Sequence, residues 1–307
     1  MDMTQLRSFL AIVETGGFGR AAAQCGITQP SLSQQIKRLE SSLGVRLFDR
    51  LGRRIALTGA GEALVPRARR ILAEVRDVQE MLQGETINDR GRLRIGAIPT
   101  MAPYLLPPAV RAFRRSHAGT TISLREDLTD RLVEGLVNCE LDLAVMSAPV
   151  DDERIELEVI GREKLIVAMP RGFDLPHADR LRLVDLRDQP AVVLHEMHCL
   201  GRQIDGFCSA KGITRHIVCR STQLATVLEM VALGLGVSIV PQMCADADRS
   251  RLRTYLPIMR GGPEREITLA WRIGRTREQT AQAFGATLRE IVESADTWAS
   301  RAGRAQK

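Results

Sequence analysis

The sequence predicts an α/β protein in three parts: an all-α N-terminal winged helix-turn-helix domain over residues 1–58, a long linker helix over 59–90, and a bilobed α/β domain over 91–307. Three observations predict it. Residues 18–50 carry two short helical patterns joined at Gly26, residues 58–88 keep one amphipathic period, and from Gly91 onward short apolar runs alternate with helical ones.

Leu6, Phe9, Leu10 and Val13 recur at spacings of three and four and give the first helix one buried face. In the next helix Ala21, Ala22 and Ala23 keep side chains small where it packs, and Gly26 supplies a turn that a side chain would strain. The third helix opens at Pro30, a residue favoured in a first turn; Leu32, Ile36, Leu39 and Leu43 form its apolar stripe and Ser31, Ser33, Gln34 and Lys37 its polar face. Hydroxyls, an amide and a lysine at the front of such a helix are the groups that meet base edges and phosphates in a DNA major groove. Arg46, Arg50, Arg53 and Arg54 then crowd a turn ending in Ile55–Thr58, which reads as a small basic wing against the phosphate backbone. The candidate DNA-contacting residues are Gln29, Pro30, Ser31, Ser33, Gln34, Lys37, Arg38, Arg50, Arg53 and Arg54. An ordinary helical hairpin with a solvated face accommodates each feature singly but not the set.

Charge agrees with a polyanionic partner. The chain carries a formal +6, and between Lys37 and Arg54 six basic residues face only Glu40 and Asp49. With 307 residues, 44% of them hydrophobic, the chain is long enough for two or three cores. No apolar run reaches the length of a membrane-spanning helix and the first residues lack the apolar centre of a secretory signal, so a cytoplasmic protein with no membrane contact is expected.

From Thr58 to about Asn88, Leu64, Ile71, Val75, Val78 and Leu82 recur at helical spacings, and Gly84 begins the end. A helix of that length has no core of its own and needs a partner, within the chain or in a second copy. Beyond it come strand Leu93–Ala97, helix Pro103–Arg115, strand Ile122–Glu126, helix Thr129–Val137 and strand Leu141–Met146, a strand–helix–strand order that implies a parallel sheet. Leu165–Met169, Val192–Leu194, a helix from Cys199 to about Ala210, Val218, helix Gln223–Leu233 and strand Val237–Val240 make a second such unit. Strand Ile267–Ile273 and helix Gln279–Ser294 return to the first. Lobe I is placed at about 91–163 and 267–295 and lobe II at about 164–266, with a loose polar tail past about Ala295. A site is expected at the carboxyl ends of strands, between the lobes.

The N-terminal block resembles that of the LysR-type transcriptional regulators through Leu6, Phe9, Phe18, Ala21 to Ala23, Gln29, Pro30, Ser31, Ser33, Ile36, Leu39, Glu40, Leu43, Gly44, Leu47, Phe48, Arg50, Thr58 and Gly61. The resemblance implies a linker helix that dimerises, a homodimer or homotetramer, an inverted-repeat promoter site and RNA polymerase as partner. It also implies a regulatory domain like the bilobed periplasmic binding proteins, with no cofactor.

The run His198-Cys199-Leu200-Gly201-Arg202-Gln203-Ile204-Asp205-Gly206-Phe207-Cys208 suggests redox chemistry. A helix N-terminus, with Arg202 or a protonated His198 nearby, stabilises a thiolate, and a thiolate attacks peroxide to give a sulfenic acid that a second thiol can condense with. The segment resembles the redox element of the OxyR-like, hydrogen-peroxide-sensing branch of the family in His198-Cys199-Leu200, Gln203 and Gly206-Phe207-Cys208. There Cys199 is the counterpart of the reactive residue and Cys208 of its disulfide partner. Thr100, Thr129 and Arg272 match the pocket that holds peroxide beside it, although helix capping is the commoner task of a threonine placed like Thr129. The pattern departs at Leu194-His195-Glu196-Met197, where an acidic-Gly run is expected, and at Gly201, where a charged residue is expected. If Cys199 and Cys208 share one helix they stand roughly 13 Å apart along its axis, whereas a disulfide needs α-carbons about 4.4–6.8 Å apart.

Other readings remain open at this stage. His195, His198, Cys199 and Cys208 are metal-ligand types, but they lack the paired Cys-x-x-Cys spacing of structural zinc sites, so no metal is expected. A small organic effector could occupy the lobe cleft, lined by Thr100 and Thr129. A thiol peroxidase would have no use for the basic N-terminal block, and no catalytic residue of an enzyme is assigned. Cys25, Cys139, Cys219 and Cys244 read as small buried hydrophobes.

Overall fold

The computed structural model describes residues 1–51, 54–83, 91–173, 181–259 and 261–305. Its contacts divide the chain into a unit of residues 1–87 with 138–140 and a second unit holding the remainder.

The first unit comprises α1 (Met3–Thr15), α2 (Phe18–Gln24), α3 (Gln29–Leu43), β1 (Phe48–Leu51), β2 (Arg54–Leu57) and α4 (Gly59–Gln83). Asp2 and Gln5 form a capping box that starts α1. Gly26 sits at φ +66° between α2 and α3, in the left-handed region that the turn requires. Leu6, Phe9, Ile12, Ala21, Leu32 and Leu39 close a core among the three helices. Phe48, at the start of the wing, joins it with its ring centroid 5.4 Å from that of Phe9. β1 and β2 form the antiparallel wing, Phe48 opposite Leu57. Thr58, expected inside the linker helix, caps it instead: its hydroxyl accepts the Gly61 N–H at 3.1 Å and donates to the Arg46 carbonyl. Gly61 is required there, because a Cβ would lie 2.2 Å from the Leu47 carbonyl oxygen. The expected end of this helix, at 84–90, lies outside the described residues, as does Arg53, and so do the side chains of Arg50 and Arg54.

The second unit runs β3 (Arg92–Ala97), α5 (Ala102–Ser116), β4 (Thr121–Glu126), α6 (Thr129–Val137), β5 (Leu143–Met146), β6 (Ile155–Pro170), a 3₁₀ turn (Leu183–Leu186), β7 (Pro190–Leu194), α7 (Cys199–Ala210), β8 (His216–Ser221), α8 (Leu224–Ala232), β9 (Ser238–Pro241), α9 (Gln242–Ala247), β10 (Arg253–Pro257), β11 (Glu264–Arg272) and α10 (Gln279–Ala305). The expected parallel sheet is mixed. β4, β3 and β5 are parallel, but β11 pairs antiparallel with both β5 and β6, and β9 and β10 pair antiparallel with β6. β7 and β8 form a separate parallel pair. The physical reason is the 16-residue strand β6, of which only Leu165–Met169 was expected; its first half, rich in charge at exposed positions, pairs with β11 and its second half with β9 and β10.

Two hydrophobic cores result. One gathers β3, β5, β11, α5, α6 and α10 around Leu93, Leu132, Leu143, Leu269, Trp271 and Phe284; the other gathers the end of β6 with β7, α7, α8 and β9 around Val167, Val192, Leu200, Val227 and Val240. β6 runs from the first core into the second, and the Leu165 N–H donates to the Pro263 carbonyl at the crossing. The expected loose tail is a correction too: α10 continues to Ala305. Among the described residues no helix is long and apolar enough to cross a membrane.

Candidate functional site

In the first unit α3 is amphipathic. Leu32, Ile36 and Leu39 are buried, while Gln29, Pro30, Ser31, Gln34, Lys37 and Arg38 are exposed and Ser33 is half-buried. The Thr28 hydroxyl accepts the Ser31 N–H at 3.4 Å and lies 2.9 Å from the Ser31 hydroxyl, so the polar front of the helix is capped and ordered. The sequence did not show the positioning roles of two groups. Glu40 accepts the N–H groups of Leu47 at 2.8 Å and Phe48 at 3.4 Å, which fixes the wing to the end of α3, and the Ser8 hydroxyl donates to the Gln35 side-chain carbonyl.

In the second unit Cys199 is the first residue of α7 and His198 its N-cap. Nine residues at 100° each turn 900°, so Cys199 and Cys208 face opposite sides of the helix. The packing agrees: Cys199 is buried in the first core and Cys208 in the second, and both are free thiols. Burial pushes the Cys208 thiol pKa up. Gly201 allows α7 to approach β7 closely, because a Cβ there would lie 2.6 Å from the His195 carbonyl oxygen and 2.8 Å from that of Leu194. A charged side chain at this position does not fit.

The first turn of α7 rests on the carboxyl ends of the parallel strands. Gln203 donates to the Ser147 hydroxyl at 3.2 Å and to the Ala148 carbonyl at 2.6 Å, just beyond β5. His198 is within the electrostatic reach of Glu126, the last residue of β4. Its Nε2 lies 2.7 Å from the Thr222 carbonyl, which can only accept, so Nε2 carries a proton. Burial lowers the His198 pKa, so the imidazole is held neutral rather than protonated as the thiolate argument supposed. Arg202, the other proposed stabiliser, donates to the Glu196 and Met197 carbonyls.

Thr100 follows β3 and Thr129 opens α6, and both are buried. Among the described residues the Thr129 hydroxyl has no hydrogen-bond partner, so helix capping does not account for it. Thr100 is held by Arg265: Nη1 donates to its hydroxyl at 2.7 Å and Nη2 to its carbonyl at 3.0 Å. Arg265 Nε in turn donates to Glu163 at 2.7 Å, and neither side chain is more than 5% exposed. The expectation for Arg272 is therefore corrected. It ends β11 opposite Ile155, roughly 24 Å of strand beyond Arg265, in a cleft shared with Asp142 and Arg275. Arg265 and Glu163 did leave a signal: each is in phase with the buried positions of its strand, Ile267 after one and Leu165 after the other. The metal reading finds no convergence, since Cys208 lies in the other core and His195 Nδ1 accepts the Met197 N–H.

Residues 3–62 match the description of bacterial regulatory helix-turn-helix proteins of the lysR family, and residues 87–293 match the LysR substrate-binding domain. The hydrogen peroxide-inducible genes activator of Pectobacterium carotovorum subsp. carotovorum is 34% identical over 296 residues, covering 95% of this chain and 97% of its own. A full-length OxyR variant from Pseudomonas aeruginosa superposes with a TM-score of 0.81 at 29% identity, covering 94% of this chain and 95% of that one. A hydrogen-peroxide-bound OxyR mutant from Corynebacterium glutamicum has a TM-score of 0.63 at 30% identity, covering 98% and 97%. Reading helix, wing and α7 site thus stand in a chain that belongs to the LysR family of bacterial transcriptional regulators, among its OxyR-like members.

Proposed function

We propose that the protein senses hydrogen peroxide through Cys199, stores the signal as a Cys199–Cys208 disulfide, and thereby alters promoter binding and transcription. One observation carries the reading: a cysteine that opens α7 is buried in the core that also packs β3, β5 and α6, and the Thr129 hydroxyl that opens α6 is buried with no partner among the described residues. A buried polar atom without a partner costs about 1–3 kcal/mol, a cost that a small hydroxylic ligand would offset. Thr100 accepts from Arg265, which leaves its own O–H to donate, and Thr129 can both donate and accept. With Nε2 on a carbonyl, neutral His198 presents Nδ1 as an acceptor. The peroxide-bound relative supports this choice of ligand.

The chemistry balances without a metal or cofactor. The Cys199 thiolate attacks one peroxide oxygen, the O–O bond breaks, and sulfur is oxidised by two electrons to a sulfenic acid while the second oxygen leaves as hydroxide and is protonated to water. The Cys208 thiol then attacks the Cys199 sulfur; the S–S bond forms and water departs. Because the two thiols face opposite sides of an intact helix, α7 must unwind for the bond to close. That is what turns a chemical event into a change of shape. On the DNA side, α3 lies in the major groove with the wing on the phosphates, and α4 pairs two copies within a homodimer or homotetramer on an inverted repeat. Its half-sites are spaced by one helical turn or a multiple of it, and RNA polymerase acts as the downstream partner in the cytoplasm.

The test is intact-protein and peptide mass spectrometry after roughly stoichiometric peroxide, with thiols trapped in acid. A loss of about two mass units mapped to Cys199–Cys208 and absent in Cys199→Ser is expected. If both thiols stay reduced where a known sensor is oxidised, peroxide sensing falls, and the Thr100–Thr129 site is to be probed with small organic effectors. Steady peroxide consumption with added thioredoxin, without specific DNA binding, would indicate a thiol peroxidase instead.

A further inference from the structure

Arg265 and Glu163 face each other across β11 and β6, at the place where β6 passes from one core to the other. The Arg265 side chain is fully enclosed and Glu163 is 5% exposed. One carboxylate oxygen of Glu163 takes the Arg265 Nε–H at 2.7 Å; the other takes the Met243 backbone N–H, also at 2.7 Å. Met243 lies in the first turn of α9, whose N-cap is Pro241 and carries no side-chain cap. Glu163 therefore satisfies an N–H that a helix start otherwise leaves open, and does so from a different strand. The same carboxylate holds the guanidinium whose other end grips Thr100 by both its hydroxyl and its carbonyl. A fork of planar donors is set by what holds its Nε, so the direction in which the Thr100 hydroxyl points is decided at Glu163.

Resting on the reading of Cys199 as a peroxide sensor, we propose that Glu163 is a positioning residue of the sensing site, one oxygen orienting Arg265 on Thr100 and the other clamping the α9 N-terminus, so that site and helix are set together. Glu163 touches neither peroxide nor Cys199. It acts through Arg265 on the oxygen-binding hydroxyl, and through the Met243 amide on the start of α9, whose next residues Cys244 and Ala245 pack in the second core, which also holds Cys208. A rearrangement of Arg265 that accompanies oxidation therefore alters the clamp on α9.

The experiment compares full-length wild type with Glu163→Gln, in the reduced state, by two rates at Cys199: sulfenic acid formation with hydrogen peroxide and alkylation by iodoacetamide. The variant is expected to lose about tenfold to a hundredfold in the peroxide rate, with the alkylation rate unchanged, because alkylation does not use the Thr100 hydroxyl. Equal peroxide rates in the two proteins would overturn the proposal, and so would a parallel fall in both rates, which marks a merely structural residue. A wild type that does not react with peroxide at all overturns the sensing reading itself, whatever the variant does. Should Glu163→Gln fail to fold, hydrogen exchange at the Met243 amide of wild type decides: exchange at least about tenfold faster after oxidation is expected, and exchange unaltered by oxidation overturns the clamp.

Discussion

Helix α3 and the proposed sensing site use polar groups in opposite ways. On α3 the candidate DNA contacts lie at the surface on one side of a helix whose other side is core, so the backbone places them, with Ser31 also beside the Thr28 hydroxyl. At the strand ends of the second unit Thr100, Thr129, Glu163 and Arg265 are all buried, and Arg265 joins two of them through hydrogen bonds. Function and fold are separable in the first region and fused in the second. The largest effect expected from this contrast is at Glu163 and Arg265. Replacing Glu163 with Leu leaves an enclosed guanidinium without its carboxylate, and a loss of about 3–5 kcal/mol is expected. Adding Arg265→Met should restore most of it, since an apolar pair of similar volume removes the uncompensated charge. Urea unfolding of the two variants measures this, and a single-variant loss below about 1 kcal/mol would erase the contrast.

Smaller effects separate the two ends of α7. Gly201→Ala pushes a methyl group into the Leu194 and His195 carbonyls, for an expected loss of about 1–3 kcal/mol. At Gly206, on the same helix, a Cβ meets nothing within 4 Å, and Ala is expected to stabilise by about 0.5–1 kcal/mol through helix propensity. Thermal denaturation of the pair gives opposite signs if Gly201, and not Gly206, is where α7 has no room for a Cβ. By contrast, Ser33→Ala or Gln34→Ala on α3 is expected to weaken operator binding by about 1–3 kcal/mol with unfolding changed by no more than about 0.5 kcal/mol, read by titration with operator DNA beside a melting curve.

The same contrast explains how much was legible in the sequence. α3 is one contiguous segment, so its periodicity, Pro30 and Gly26 show both the helix and its exposed face, and α6 and α7 start where Thr129 and Cys199 predict. The proposed sensing site is assembled from separate segments after β3, after β4, before α7, within β6 and at the start of β11. No local period carries such a convergence. The first half of β6 alternates apolar and charged residues from Ile155 to Glu158 as a half-buried strand does, but the expectation starts a strand only at Leu165; without that strand the register that sets Arg265 opposite Glu163 is not visible, and Arg272 stands in the expectation in its place. Cys199 and Cys208 were legible as a pair. That they belong to different cores was not, because nothing in the spacing tells which side of α7 faces which sheet.

The smallest effect is a pH dependence confined to the buried region. Burial lowers the His198 pKa below its ordinary 6.5; His195 and Arg202 push the same way, and the Thr222 carbonyl and Glu126 oppose them. The unfolded chain therefore takes up the His198 proton before the folded one does. Stability from this group is complete above the ordinary histidine range and is lost as pH falls through 6.5 toward the folded value. The slope cannot exceed about 1.4 kcal/mol per pH unit, the contribution of one proton. His198→Gln keeps a donor for the Thr222 carbonyl and removes the titration, so its melting temperature should fall less between pH 7 and pH 5.5 than that of wild type. Parallel curves would mean that His198 is as free to charge in the fold as in the unfolded chain. In that case His198 would take up its proton in the fold as pH falls through 6.5, beside the strand ends where Cys199 is buried.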